Sequence, residues 1–151
     1  ETDVQVVIAG AGALRIELEQ KEESMRLTTV VLCGEIIETN RTMEAFDVTV
    51  ITSAWEPFGI VGLESQSMAI PVVAFDIGGL PEVIAGGVTG ILVPPADIHA
   101  MTASVCRLLA DPISRDTMGR SGRARVLDNF DSRLTSAAVF DHYRALTSRS
   151  D

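Results

Sequence analysis

Five short runs rich in β-branched and other apolar residues, at 4–9, 27–33, 48–52, 71–75 and 90–94, each give way to a stretch with helical spacing before the next one begins. This alternation constrains the fold more than any other feature, because strands separated by helices are joined by crossovers and pair in parallel. The expected fold class is α/β, a Rossmann-like parallel sheet flanked by helices and closed by further helices at the C-terminal end. Gly10-Ala11-Gly12 turns the first strand into a helix reaching about residue 24, and residues 39–46 form a short helix with Thr39 or Asn40 as N-cap. Leu80-Pro81-Glu82 opens another short helix. Asp97 caps the helix that reaches residue 110, Asp111-Pro112 opens the next, and Asp131 or Ser132 caps the last, which ends near residue 147. With no repeat, low-complexity tract or linker, residues 1–151 read as one domain.

Chemistry concentrates in Glu56-Pro57-Phe58-Gly59-Ile60-Val61-Gly62-Leu63-Glu64, where two carboxylates flank a strand-to-helix corner. The run 48–52 reads as a buried strand, and residues 60–68 have helix-like spacing that stops before Pro71. Stepping about 100° per residue places Glu64 between Ile60, Val61 and Met68 on the apolar side of its helix, with Ser65 and Gln66 outside that arc. A carboxylate there needs partners. The free amides of Phe58, Gly59 and Ile60 form a helix N-terminus suited to an anion, and ligands of open α/β sheets bind outside the carboxyl ends of strands.

Composition narrows the partners. A formal charge of −9 opposes polyanions such as nucleic acid or anionic lipid, and no basic stripe offsets it. No run is long enough to span a membrane and no signal segment leads the chain, so a cytoplasmic location is expected, with peripheral membrane attachment left open. Cys33 and Cys106 read as buried reduced thiols, and His99 and His142 as surface residues without a second ligand at metal spacing. Gly10-Ala11-Gly12 imitates a dinucleotide fingerprint, but Arg15 holds the third glycine position and no acidic residue closes the strand at 27–33. A plain turn is favoured there. The paired Gly78-Gly79 leaves open positive φ or close approach to a ligand.

The E-x7-E spacing of Glu56 and Glu64 resembles the signature of retaining GT-B glycosyltransferases, family 4 (group 1). Ser53-Ala54-Trp55-Glu56 looks like that family's S-x-x-E. Pro71-Val72-Val73-Ala74, Gly78-Gly79-Leu80-Pro81-Glu82 and Gly90-Ile91-Leu92-Val93-Pro94 follow in the family's order. The resemblance covers nearly the whole chain and the family's second, donor-nucleotide domain only. It implies retaining transfer of a sugar from a nucleotide-diphosphate donor to an acceptor, with no cofactor. Glu64 would hold ribose hydroxyls, Glu56 the sugar hydroxyls, and the amides of Phe58, Gly59 and Ile60 the diphosphate, with Ser53 beside them. The loop Gly34-Glu35-Ile36 would lie near the base, though a loop that merely turns the chain is as good a reading of those side chains. No D-x-D occurs, which favours donor binding without a metal.

Departures accompany the match. Ala69 stands where a glycine is common, Phe130-Asp131-Ser132-Arg133 where members often have F-x-W, and the family's first strand and its basic segment are not found. Loss of that central strand would leave its neighbours unpaired, so self-association is expected, and the chain alone is expected to be inactive. Two other readings stay open: a nucleotide-sugar epimerase, and a non-catalytic nucleotide-binding or assembly module.

Overall fold

The computed structural model describes residues 4–37 and 39–147. The chain groups into two compact units, one ending at Thr42 and one starting at Met43. In the first, β1 (Val6–Ala9) pairs in parallel with β2 (Val30–Gly34), and α1 (Arg15–Met25) connects them. Arg26 ends α1 in a left-handed conformation with its amide on the carbonyls of Glu22 and Glu23. The short α2 (Thr39–Met43) follows.

The second unit holds the core. Its parallel sheet has the order β3 (Thr49–Ile51), β4 (Val72–Phe75), β5 (Gly90–Val93). The central strand is buried on both faces, which is why it reads as an unbroken apolar run. Val72 and Ala74 point into a cluster with Ile51, Leu80, Val83 and Ile84, beneath α3 (Ile60–Ser67) and α4 (Leu80–Val83). Val73 and Phe75 alternate to the other face, against Ile91, Val93, Met101 and Leu108, the last two from α5 (Ile98–Ala110). The strand expected at 48–52 is shorter and buried on one face only. Val50 is 42% exposed, and among the described residues β3 is hydrogen-bonded to β4 alone.

Helix α6 (Pro112–Asn129) has no continuous apolar stripe and is held instead by glycines and arginines. A side chain on Gly119 would run into the carbonyl of Ala69, and one on Gly122 would sit 2.9 Å from Gln66 Cγ, so both glycines let α6 approach the end of α3. Three arginines then satisfy carbonyls at the C-terminal ends of other helices. Arg115 donates to Leu108 and Leu109 on α5 at 3.3 Å and pairs with Asp47 at 3.0 Å. Arg123 donates to Ser67 on α3, and Arg125 to Glu82 (2.7 Å) and Val83 (3.1 Å) on α4. The last carbonyls of a helix lack intrahelical partners and carry partial negative charge, so cations there are doubly favourable. Arg120 pairs with Asp116.

The caps expected at Asp97, Asp111 and Asp131 form. Asp97 accepts from the Ala100 amide at 2.9 Å and Asp111 from the Ser114 amide at 3.0 Å. Asp131 accepts from the Arg133 amide at 2.8 Å at the start of α7 (Ser132–Thr147). The two cysteines depart from the expected burial: both are free thiols, but both are exposed. Cys33 shares the open face of β2 with Val31, and Cys106 lies away from Met101 and Leu108 on α5. His99 and His142 are exposed, as expected.

Candidate functional site

The turn from β3 into α3 is built on Gly59, which is buried at φ 95° and immediately precedes the helix. A Cβ there would lie 2.7 Å from Leu80 Cδ2, so both space and backbone conformation call for glycine. Glu56 is half-buried, and its carboxylate folds back so that Oε1 accepts from the Gly59 amide at 3.2 Å. Its backbone carbonyl accepts from the Gly79 amide at 3.0 Å. A side chain on Gly78 (φ 52°) would strike that carbonyl, and one on Gly79 would come within 2.5 Å of the Pro57 carbonyl oxygen and 2.7 Å of Phe58 Cα. The paired glycines thus let residues 78–79 lie directly against 56–58, and Gly78 uses its positive φ as well.

This contact revises the anion site. The Gly59 amide is taken by Glu56, an acidic group satisfying a donor at the helix start much as a capping residue does. Among the described residues the amides of Phe58 and Ile60 have no protein acceptor. Phe58 is 41% exposed, and its ring meets that of Phe130 edge-on, with centroids 6.3 Å apart and planes at 66°. Ser53 is half-buried just beyond β3, and Trp55 is exposed.

The rotation of α3 differs from the one its spacing suggests. Ser65 and Gln66 are fully buried, whereas Ile60 and Val61 are exposed and Glu64 is half-buried. Hydrogen bonds explain the reversal: Ser65 Oγ lies 2.8 Å from Thr49 Oγ1 and 3.1 Å from the Ile70 carbonyl, and Gln66 Nε2 donates to Gly62 (3.3 Å) and Val83 (3.4 Å). Buried polar groups are tolerated when paired, and Gln66 Oε1 is the buried side-chain oxygen left over. Glu64 therefore sits at the edge of the buried face, and α3 inserts its polar residues where apolar ones were expected.

Ser53, Glu56, Phe58, Gly59, Ile60 and Glu64 all belong to the second unit, on the corner that follows the carboxyl end of β3. Gly34, Glu35 and Ile36 belong to the first. There β2 ends at Gly34 with φ 74°, Glu35 is exposed and Ile36 half-buried. Arg15 packs against Gly34 and donates to the Leu32 carbonyl at 3.4 Å and to Glu19 at 2.7 Å. A cavity of about 180 Å³ lies between β1, the Gly10–Gly12 turn and α1, lined by Ile8, Leu14, Leu18 and Leu32 with Arg15. No cluster of His, Cys, Asp and Glu suited to a metal occurs among the described residues, and no helix there is long and apolar enough to cross a membrane.

A parallel α/β sheet with an acidic, glycine-built turn at the ends of its strands defines a class of ligand-binding domains. Within that class, residues 1–111 match the family model described as Glycosyl transferases group 1, and the chain belongs to that family. It is 32% identical over 143 residues to the glycogen synthase of Mycobacterium tuberculosis, a match covering 93% of this chain and 34% of that protein. The sucrose-phosphate synthase of Thermosynechococcus elongatus superposes with a TM-score of 0.88 at 31% identity, over 97% of this chain and 39% of its own. HepE of Anabaena in complex with UDP-glucose superposes with a TM-score of 0.87 at 25% identity, over 94% of this chain and 41% of its own. The fold is that of one part of a GT-B glycosyltransferase, and the chain spans about a third of the length of the curated relatives it matches.

Proposed function

We propose that the chain is the donor-nucleotide part of a retaining, metal-independent glycosyltransferase that moves a sugar from a nucleotide diphosphate to an acceptor. The observation that carries this reading is the Glu56 carboxylate fixed on the Gly59 amide at the start of α3. One acidic oxygen is thereby held in place at a helix N-terminus, and the second is left for a sugar hydroxyl. Glu64 accepts from ribose hydroxyls, and the amides of Phe58 and Ile60 stabilise the diphosphate as it leaves, a fixed-dipole role at a helix start. Ser53 lines the same corner, and Gly34, Glu35 and Ile36 meet the base, in part through backbone groups. Glu56 positions the sugar in this reading, with no covalent intermediate. Family membership and the UDP-glucose held by HepE support the ligand class, and the two free thiols suit a reducing, cytoplasmic setting.

Calorimetry with UDP, GDP, ADP and UDP-glucose, with and without magnesium, tests this. Weak binding without turnover by the 151-residue chain, insensitive to magnesium, is expected. Glu64→Ala should weaken all the nucleotides by about tenfold or more, the usual cost of a hydrogen bond to a charged group. Glu56→Ala should chiefly lose the difference between UDP-glucose and UDP. Unchanged UDP, GDP and ADP affinity in Glu64→Ala would refute the ribose assignment. In the whole protein, epimerisation without an added acceptor, or binding with no turnover, would favour the two rival readings.

A further inference from the structure

We infer that Phe130 is a positioning residue for the turn at 56–60, acting through Phe58; the inference rests on the reading of that turn as the donor site. Phe130 caps α6, its amide donating to the Val126 carbonyl at 2.8 Å. One side of its half-buried ring meets Phe58 edge-on at 6.3 Å. The Arg125 guanidinium lies over the same ring, 5.7 Å from its centroid, while donating to the carbonyls of Glu82 and Val83 at the end of α4.

The consequence is a closed mechanical loop. Residues 78–79, just before α4, press on 56–58 from one side, and the far end of α4 is tied through Arg125 and Phe130 back to the ring of Phe58. That ring belongs to the residue whose amide, at the helix start, has no protein acceptor among the described residues. Edge-to-face rings and cation–π contacts require orientation, so an aliphatic side chain of similar volume cannot reproduce them. Phe130 therefore restricts the direction of the Phe58 amide and pre-organises it for an anionic oxygen, reducing the ordering cost of binding.

The test compares the parent with Phe130→Ala, Phe130→Leu, Phe130→Tyr, Phe58→Ala and the Phe58→Ala/Phe130→Ala pair. Hydrogen exchange without ligand is followed at the Gly59 and Gly79 amides, which both bond to Glu56, against the β4 amides as a measure of global opening. UDP affinity is measured alongside. Phe130→Ala and Phe130→Leu should speed exchange at Gly59 and Gly79 about twofold to tenfold beyond any change in β4, and weaken UDP by a similar factor. Phe130→Tyr should restore both, and the double variant should be no worse than Phe58→Ala. Loss of β4 protection in step with Gly59, or UDP affinity intact in Phe130→Ala, overturns the positioning role alone. If the parent binds none of UDP, GDP and ADP, the donor reading fails and the positioning role with it.

Discussion

Thr49 Oγ1 on β3 and Ser65 Oγ on α3 lie 2.8 Å apart, with both side chains buried. Ser65 Oγ is also 3.1 Å from the Ile70 carbonyl. A carbonyl only accepts, so the single Ser65 proton goes to Ile70 and the Thr49 proton goes to Ser65. One hydroxyl thus joins a strand, a helix and the loop leading to the next strand, and it sets the face that α3 buries. Ser65→Ala leaves a buried hydroxyl and a carbonyl without partners and is expected to cost about 1–3 kcal/mol in urea unfolding. Thr49→Val combined with Ser65→Ala should cost less than the sum of the singles, since the pair shares one interaction. Strict additivity would show that the two side chains are energetically independent.

Ala69 carries a φ of 60° directly after α3. A side chain in the left-handed region costs about 1–2 kcal/mol, and glycine removes that cost while returning part of it as extra freedom in the unfolded chain. Ala69→Gly is expected to stabilise the protein by about 0.5–1 kcal/mol on these grounds. A rise in the unfolding midpoint at unchanged m-value checks it.

Gly119 behaves in the opposite sense. Alanine is favoured over glycine in a helix by about 1 kcal/mol, yet a Cβ at 119 meets the Ala69 carbonyl, a backbone atom that cannot rotate away. Gly119→Ala is expected to destabilise by about 1–3 kcal/mol net, the usual range for overpacking. At Gly12 an added Cβ meets nothing within 4 Å, so Gly12→Ala serves as the neutral control.

The order of strands and helices was legible because it depends on local pattern, and Asp97 and Asp111 were legible as caps because their partners lie three residues away. The face of α3 was not. Thr49, Ile70 and Val83, which satisfy Ser65 and Gln66, come from other elements, and no spacing rule reports them. Helix α6 shows the same limit, since glycine contacts and arginine–carbonyl bonds leave no apolar period. At the site, residues 56–60 and 64 stood out in sequence. The occupation of the Gly59 amide by Glu56 and the approach of Phe130 to Phe58 depend on how distant segments meet, and nothing in the local pattern announced them.

Both sheets end on strands paired along one side only: β1 bonds to β2 alone and β3 to β4 alone among the described residues. Exposed Val6, Ile8 and Val50 lie on those two strands, and Leu134, Val139, Phe140, Tyr143 and Leu146 are exposed along α7. Unpaired edges and apolar surface invite association. Light scattering is expected to give a mass that rises with concentration. A constant monomer mass across the series would contradict this.

Asp131 is held both by the backbone at the start of α7 and by an arginine side chain. Its carboxylate accepts from Arg133 Nη2 at 2.6 Å, from Nε at 3.0 Å and from the Arg133 amide at 2.8 Å. The side-chain bond to Arg133, followed by the amide, lowers its pKa from 3.8 to about 2. A group whose pKa is lower folded than unfolded binds its proton more weakly in the native state, so acid favours unfolding. The contribution of Asp131 to the start of α7 is thus complete above the unfolded value of 3.8 and is lost as pH falls through about 2. Asp111, lowered first by the Ser114 hydroxyl and then by its amide, acts in the same direction at the start of α6. Carboxyl-carbon NMR should find Asp131 still ionised at about pH 3, with the Leu134 and Thr135 amides, which bond to the Asp131 carbonyl, losing protection only below that point. Asp131→Asn should weaken their protection at neutral pH and abolish its change over the acid range. A midpoint at the ordinary 3.8, with the same protection in the Asn variant, would show that the carboxylate does not anchor α7.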